Sequence, residues 1–172
     1  GAPCVDPLCP EIMMGEADLA ATDCNVVGCG MGFSERALGR LRAAVASPVP
    51  LILDADALRV IARDQALQDA VLARKAHTVI TPHPGEAAER LRRDVKSVQA
   101  DRVWSARELA LQTGAVTVLK GTGTVVSLRS SRSWICPTGG PMLATAGSGD
   151  VLAGMLGAMF AQKFDLVEAT LS

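Results

Sequence analysis

A glycine-rich turn that leads into an apolar helix carries the strongest chemical signal in the sequence. Gly147, Ser148 and Gly149 directly precede Asp150. Small residues at a helix N-terminus expose backbone N–H groups that bind phosphate, and a carboxylate beside them can accept a proton from an attacking hydroxyl group. The pattern predicts phosphoryl transfer, with residues 147–149 as the anion hole and Asp150 as the catalytic base. The alternative is a capping aspartate behind a glycine turn that holds no ligand.

A second polar turn follows a predicted buried strand that ends at Lys120. A lysine at a strand end, followed by small residues, can hold a phosphate or the ribose of a nucleotide. The order of residues is not that of a Walker A loop. The residues predicted to contact a nucleotide here are Lys120, Gly121, Thr122, Gly123 and Thr124.

Two further segments carry weaker signals. Glycines alternate at Gly28, Gly30 and Gly32, which lets the backbone approach a ligand closely or adopt positive φ, although a tight turn without a ligand has the same pattern.

Asp54 and Asp56 follow a predicted strand. One of them can cap a helix that starts at residue 57, and the other is then free to face the cleft, where carboxylates near a polyphosphate commonly act through Mg²⁺.

A histidine between two prolines, His83, is held rigidly. This placement suits contact with a substrate better than filling of a core, and a histidine in a surface turn is the alternative. Glu86 lies in the first turn of the helix that follows, where the helix dipole favours a negative charge.

The elements that must position these turns alternate along the chain. Short apolar runs predict strands, and segments with a 3.6-residue period predict helices, with Ser34, Asp64 and Ser97 as N-caps and Gly114 as a C-cap. The predicted strands are residues 11–14, 25–28, 51–54, 77–81, 115–120, 124–127 and 133–136. The predicted helices are residues 35–46, 57–62, 65–74, 85–91, 97–113 and 149–162, with another that begins near 165.

This alternation predicts one α/β domain over residues 1–172, with a mostly parallel sheet that becomes mixed at a late β-hairpin. Ligands of such sheets bind at the C-terminal ends of the strands, where the polar turns fall. The 172 residues include 49% hydrophobic and 3% aromatic residues, and the net charge is −1. Nucleic acid is therefore not expected as a partner, and no apolar run is long enough to cross a membrane.

Five cysteines occur without a CxxC pair or a His–Cys cluster. Their odd number and spacing argue against structural zinc and against a disulfide framework. Reduced and mostly buried thiols in a cytoplasmic protein are expected instead.

Five segments resemble, in order and spacing, the ADP/ATP-dependent NAD(P)H-hydrate dehydratases, which are the carbohydrate-kinase-like domains of YjeF-type proteins. They are residues 27–32, 53–58, 81–86, 119–124 and 144–152. Only the last is widely shared among ribokinase-like enzymes. The resemblance implies a ribokinase-like three-layer α/β/α fold, with a mostly parallel sheet and a β-hairpin at its edge.

The resemblance also implies a reaction, in which hydrated NADH or NADPH (NADHX or NADPHX) is phosphorylated by ATP or ADP and phosphate is then eliminated. Asp150 is the implied base and, together with Gly30, Gly32 and His83, an implied contact of the hydrate. Lys120, Gly121, Thr122, Gly123, Thr124 and Gly149 are implied contacts of the adenine nucleotide. Mg²⁺ accompanies the nucleotide, no residue is assigned as a metal ligand, and a homo-oligomer is expected.

The sequence departs from the family pattern in several places. The glycine-rich βαβ segment that usually precedes the counterpart of residues 10–14 is absent, and the sequence stops inside an expected helix. An incomplete copy of the domain, open at both ends, is therefore expected. Arg59 stands where an asparagine is frequent, and residues 139–142 replace a commoner Gly-Asn-Pro-Gly. Two other interpretations remain open: a small-molecule kinase of the ribokinase superfamily, and a nucleotide-binding module without turnover.

Overall fold

The computed structural model of the chain describes residues 18–130, 132–140, 145–165 and 170. The strand predicted at 11–14 lies outside these residues, and the helix predicted near 165 lies almost wholly outside them. The described elements are β1 (Asn25–Val27), α1 (Glu35–Ala46), β2 (Leu51–Leu53), α2 (Ala55–Arg63), α3 (Gln65–Leu72), β3 (Thr78–Ile80), α4 (Pro84–Leu91), α5 (Val95–Ala100), α6 (Arg102–Thr113), β4 (Val116–Leu119), β5 (Val125–Ser127), β6 (Ser133–Ile135) and α7 (Ser148–Ala161).

The described strands form one sheet in the order β1-β2-β3-β4-β5-β6. Strands β1 to β4 are parallel, with Val26 opposite Ile52 and Ile52 opposite Val79. Strands β5 and β6 continue the sheet in antiparallel pairing. The prediction of a mostly parallel sheet with a hairpin at its edge is confirmed.

Helices cover both faces of this sheet, which gives three layers. Successive strand residues point to opposite faces, so Leu51 and Leu53 pack under α1 to α6, whereas Ile52 packs on the other side. That second face is covered by α7 through Leu156 and Phe160. The predicted three-layer α/β/α fold is confirmed.

Helices α1 to α6 each begin after a capping side chain, and two of these caps were predicted correctly. Ser34 Oγ accepts a hydrogen bond from the N–H of Ala37, and Asp64 Oδ1 accepts one from Leu67. Helix α2 begins two residues earlier than predicted, because Asp54 itself is the N-cap and accepts from the N–H of Ala55.

The long helix predicted over residues 97–113 is wrong, because this segment forms two helices. Asp94 caps α5 and Asp101 caps α6, each by accepting a backbone N–H from the first turn. Ser97 is therefore not a cap, and its own N–H donates to Asp94 at 2.7 Å. The end at Gly114 is confirmed, since this glycine adopts the left-handed conformation that closes α6.

Helix α7 lies close against the first strand. A Cβ atom at Gly157 would come within 2.4 Å of Val26 Cγ2, so the helix approaches β1 at a distance that only glycine permits. Among the described residues, no helix combines the length and the apolar run that crossing a bilayer requires.

Candidate active site

The loop after β1 passes directly over the end of β2. Gly28 has φ +128°, and a Cβ atom there would lie 1.8 Å from the carbonyl oxygen of Asp54, so any side chain at this position is excluded. The N–H of Gly32 donates to Asp56 Oδ2 at 2.9 Å, which ties the far end of the loop to α2. Gly30 and Gly32 also have positive φ, and described atoms leave open space around both, where a ligand can approach.

The two aspartates after β2 have distinct partners. Asp56 holds the glycine loop, whereas Asp54 faces the end of β4. Lys120 Nζ donates to Asp54 Oδ1 at 2.7 Å, and the Asp54 side chain is only 1% exposed. The backbone N–H of Lys120 donates to the carbonyl oxygen of Pro82, so the ends of β2, β3 and β4 are joined at one edge of the sheet.

The glycine turn before α7 lies on this ion pair. A Cβ atom at Gly149 would be 3.2 Å from Lys120 Nζ and 3.6 Å from Asp54 Oδ2. Gly147 adopts the left-handed conformation with φ +86°, and α7 has no side-chain cap among the described residues. The N–H of Ser148 is already bonded to the carbonyl oxygen of Thr145 at 3.3 Å. The N–H groups of the following turn are thus the better donors for an anion.

Asp150 lies in the first turn of α7 and is exposed to solvent. The Cys29 sulfur and carboxylate oxygens of Asp54 and Asp150 lie within 4.8 Å of one another. Burial, followed by the interaction with Asp150 and the negative charge of Asp54, raises the pKa of Cys29 to about 11. The thiol therefore stays protonated at neutral pH and acts as a hydrogen-bond donor.

Sequence reasoning missed both Cys29 and the pairing of Asp54 with Lys120. The alternating glycines around Cys29 were the available signal. They predicted an unusual backbone conformation but gave no role to the Cys29 side chain. The expectation of mostly buried thiols is also wrong for the described cysteines, since Cys24 and Cys29 are partly exposed and Cys136 is exposed, all three being free.

His83 has a structural task that the sequence pattern did not reveal. Its Nδ1 accepts hydrogen bonds from the N–H groups of Gly85 and Glu86, so that His83 is the N-cap of α4. Glu86 completes a capping box by accepting the N–H of His83 at 2.8 Å, and burial raises the pKa of its carboxyl group. The imidazole remains about half exposed, although its Nε2 lies 3.3 Å from Glu86 Oε1.

The turn after β4 extends from the ion pair to the surface. Gly121 and Thr122 are exposed, whereas Gly123 and Thr124 are half-buried. Lys120 is thus the residue of this turn that reaches Asp54, and the remaining residues offer mainly backbone groups.

The arrangement at the strand ends combines a proton acceptor, a fixed cation and a helix N-terminus, which suits phosphoryl transfer. Over residues 2–172 the sequence matches the family model described as NAD(P)H-hydrate dehydratase. The chain belongs to this family.

Two curated relatives illustrate the family. The ADP-dependent (S)-NAD(P)H-hydrate dehydratase of Neisseria meningitidis is 40% identical over 166 residues, which cover 93% of this chain and 56% of the relative. The bifunctional NAD(P)H-hydrate repair enzyme Nnr of Gloeobacter violaceus is 47% identical over 161 residues, which cover 90% of this chain and 30% of the relative. The chain thus spans about half of the first relative and less of the second.

Solved structures support the same fold. The ADP/ATP-dependent NAD(P)H-hydrate dehydratase of Bacillus subtilis, co-crystallised with ATP/Mg²⁺ and soaked with CoA, superposes with a TM-score of 0.79 at 29% identity. That match covers 96% of this chain and 62% of the other. A hydroxyethylthiazole kinase from Pyrococcus horikoshii, at 17% identity and a TM-score of 0.67, shares the fold alone.

Proposed function

We propose that this chain carries out the dehydration of NADHX or NADPHX to NADH or NADPH at the expense of ATP or ADP. Family membership supports the reaction class, because relatives in the family are named for it. The observation that carries the proposal is the position of Asp150, at the exposed N-terminus of α7 and directly beside the Asp54–Lys120 pair. A base and an anion-binding helix end thereby share one site.

In the proposed mechanism, Asp150 removes the proton from the hydroxyl group of the hydrated nicotinamide ring. The oxygen then attacks the terminal phosphorus of the nucleotide, which breaks the bond to the bridging oxygen and releases ADP from ATP or AMP from ADP. The phosphate ester then loses inorganic phosphate from its ring carbon and a proton from the neighbouring ring carbon to water, which restores the ring double bond. The N–H groups of Gly149 and Asp150 face the phosphoryl group, where the helix dipole favours its negative charge. Gly30 and Gly32 leave room for the nicotinamide, and the half-exposed imidazole of His83 contacts it.

Two observations support a nucleotide-binding site at the strand ends. Helix α7 has no side-chain cap among the described residues, so donors in its first turn are available to phosphate. The side chain of Lys120 is 21% exposed while its ammonium group is paired with Asp54, so Lys120 can also reach a phosphate oxygen. Residues 121–124 supply the backbone groups for the rest of the nucleotide.

In this proposal, Mg²⁺ binds together with the phosphates of the nucleotide. Mg²⁺ prefers oxygen ligands and keeps several waters, and it neutralises charge on the phosphate oxygens when bound. Lys120 and the N–H of Ala55 both bond to Oδ1 of Asp54, so Oδ2 is the oxygen that remains for the ion. The thiol of Cys29 is too soft a ligand to favour Mg²⁺.

The cytoplasm is the proposed compartment, because the described cysteines are free thiols. A homo-oligomer stays a prediction from the resemblance.

Turnover by Asp150→Asn tests the proposal. The full chain is incubated with NADHX and either ATP or ADP, and recovery of NADH absorbance is followed together with release of phosphate. We expect a loss of turnover of at least about 100-fold, with nucleotide binding by calorimetry retained, because the amide cannot accept the proton but keeps the size of the carboxylate.

Asp23→Asn is the matched control, since Asp23 is an exposed aspartate just before β1, at the opposite edge of the sheet. It should turn over like the wild type. A stable phosphorylated product without recovery of NADH would favour a kinase instead. Nucleotide binding without turnover in the wild type would favour a binding module, and unfolding of Asp150→Asn would reveal a structural cap.

A further inference from the structure

Arg102, the first residue of α6, reaches across to the turn that follows β4. Its Nη2 donates to the carbonyl oxygens of Leu119, Lys120 and Gly123 at 2.9, 3.2 and 3.4 Å. Three carbonyl groups from the two sides of one turn thus converge on a single guanidinium group.

The guanidinium group is itself held in place. Its Nη1 donates to Gln99 Oε1 at 2.5 Å, and a Cβ atom at Gly121 would lie 3.2 and 3.3 Å from Nη1 and Nη2. Gly121 has φ +134°, so the backbone lies flat against Arg102 at a position that a side chain would block. The Nε atom is buried without a hydrogen-bond partner among the described residues, and burial lowers the pKa of the group.

The direction of these carbonyl groups determines the direction of the N–H groups in the turn. In a trans peptide the C=O of one residue and the N–H of the next point in opposite directions, and no described peptide bond is cis. Because the carbonyls of Lys120 and Gly123 face Arg102, the N–H groups of Gly121 and Thr124 point away from it. The hydroxyl of Thr124 donates to the carbonyl oxygen of Gly121 at 3.0 Å, which fixes the next peptide as well.

We propose that Arg102 is a positioning residue, which holds the carbonyl groups of Lys120 and Gly123 so that the N–H groups of Gly121 and Thr124 are presented to the phosphates or ribose of ATP or ADP. This inference rests on the proposed function of the turn. Backbone N–H groups that face the same way can bind an anion, because each carries a partial positive charge. Arg102 acts through the turn, because Nη1 and Nη2 donate to Gln99 and to the carbonyl groups, and Nε is buried away from any ligand.

Nucleotide affinity of Arg102→Leu in the full chain tests this inference. We expect the dissociation constant for ATP, by calorimetry, to rise about tenfold or more, since charge-assisted hydrogen bonds that order the turn are lost. KM for the nucleotide should rise in parallel, while kcat at saturating nucleotide and KM for the hydrate change little. Hydrogen exchange at residues 121–124 should become faster without nucleotide.

Arg107→Leu is the matched control on the same helix, because Arg107 is exposed and its Nε donates to the Ser133 side chain, away from the turn. It should leave the affinity for ATP unchanged. Arg102→Lys keeps the charge and should bind ATP with intermediate affinity, which provides a variant to measure if Arg102→Leu fails to fold.

Unchanged affinity for ATP in both Arg102 variants, with only a lower melting temperature, would overturn the inference and leave the proposed function intact. A wild-type chain that binds ATP but does not dehydrate NADHX would contradict the proposed function, while the effect of Arg102 on binding could still be measured. A wild-type chain that binds neither ATP nor ADP would refute both.

Discussion

Lys120 and Asp54 form an ion pair of 2.7 Å that joins the end of β4 to the end of β2 across β3. The carboxylate is almost completely buried, and the glycine turn before α7 lies on the pair at Gly149. The pair therefore links the central sheet to the helix that carries the proposed base. Its removal should affect both stability and the site.

Replacing Lys120 with an uncharged residue should destabilise the fold. We expect Lys120→Met to lower the free energy of unfolding by about 3 kcal/mol, because the buried carboxylate of Asp54 loses its counter-charge. The double variant Lys120→Met/Asp54→Asn should recover part of this loss, since the amide oxygen can still cap α2. Urea denaturation measures both effects. Lys96→Met, at an exposed lysine in α5, is the control and should stay within about 0.5 kcal/mol of the wild type. Wild-type stability in Lys120→Met would mean that the pair does not form in solution.

The two tasks assigned to His83 can be separated by substitution. His83→Ala should lower the free energy of unfolding by about 1 kcal/mol, because α4 loses the cap that its first N–H groups require. His83→Asn retains a capping oxygen and should unfold close to the wild type. If the imidazole contacts the hydrate, His83→Asn should nevertheless raise KM for NADHX. Full activity in this variant would limit His83 to the cap.

The fold was largely predictable because its signals are local. Short apolar runs bounded by glycine, proline or aspartate predicted the described strands, and Ser34 and Asp64 marked their helices correctly. The break at Asp101 was not predictable from periodicity, because the apolar pattern continues from α5 into α6. Asp94 caps the start of α5, and a second capping aspartate, Asp101, starts α6 and so separates the two helices.

The sequence predicted where the site lies in the fold, but it did not predict which side chains contact one another there. Rules for parallel sheets bring the polar turns to one edge, yet they do not say which side chains meet there. Asp54 and Lys120 are 66 positions apart, and the sequence offered each of them other partners. Cys29 meets Asp150 only because Gly28 lets the loop pass over the backbone of Asp54.

The described thiols should react with iodoacetamide at very different rates. Hydrogen bonding with Thr138 lowers the pKa of the exposed Cys136, whereas burial raises the pKa values of Cys24 and Cys29 to about 11. Since the thiolate is the nucleophile, roughly one Cys29 thiol in a thousand is reactive at pH 8. Peptide mass spectrometry should find Cys136 labelled first. Labelling of Cys29 should accelerate about tenfold for each pH unit up to pH 10, whereas that of Cys136 levels off at lower pH. Equal rates for both at pH 8 would contradict the burial of Cys29, which is the main cause of its raised pKa.

Glycines on α7 should differ in their tolerance of alanine according to their neighbours. Gly157→Ala should lower the free energy of unfolding by about 1–3 kcal/mol, because its Cβ would meet Val26 Cγ2 at 2.4 Å and push the helix from the sheet. Gly154 faces solvent with no described atom within 4 Å of a Cβ, so Gly154→Ala should instead stabilise the helix by about 0.5–1 kcal/mol. Urea denaturation compares the two variants on one helix.

A second substitution tests whether the contact with Val26 is the cause. Val26→Ala removes the clashing methyl group from a residue that is 40% exposed, so its own cost should be small. In the Gly157→Ala background it should restore most of the lost stability, because the helix can return to its original distance from β1. Equal destabilisation with and without Val26→Ala would show that Gly157 is required for another reason. Turnover should follow stability in this series, since displacing α7 also displaces Asp150 from the Asp54–Lys120 pair.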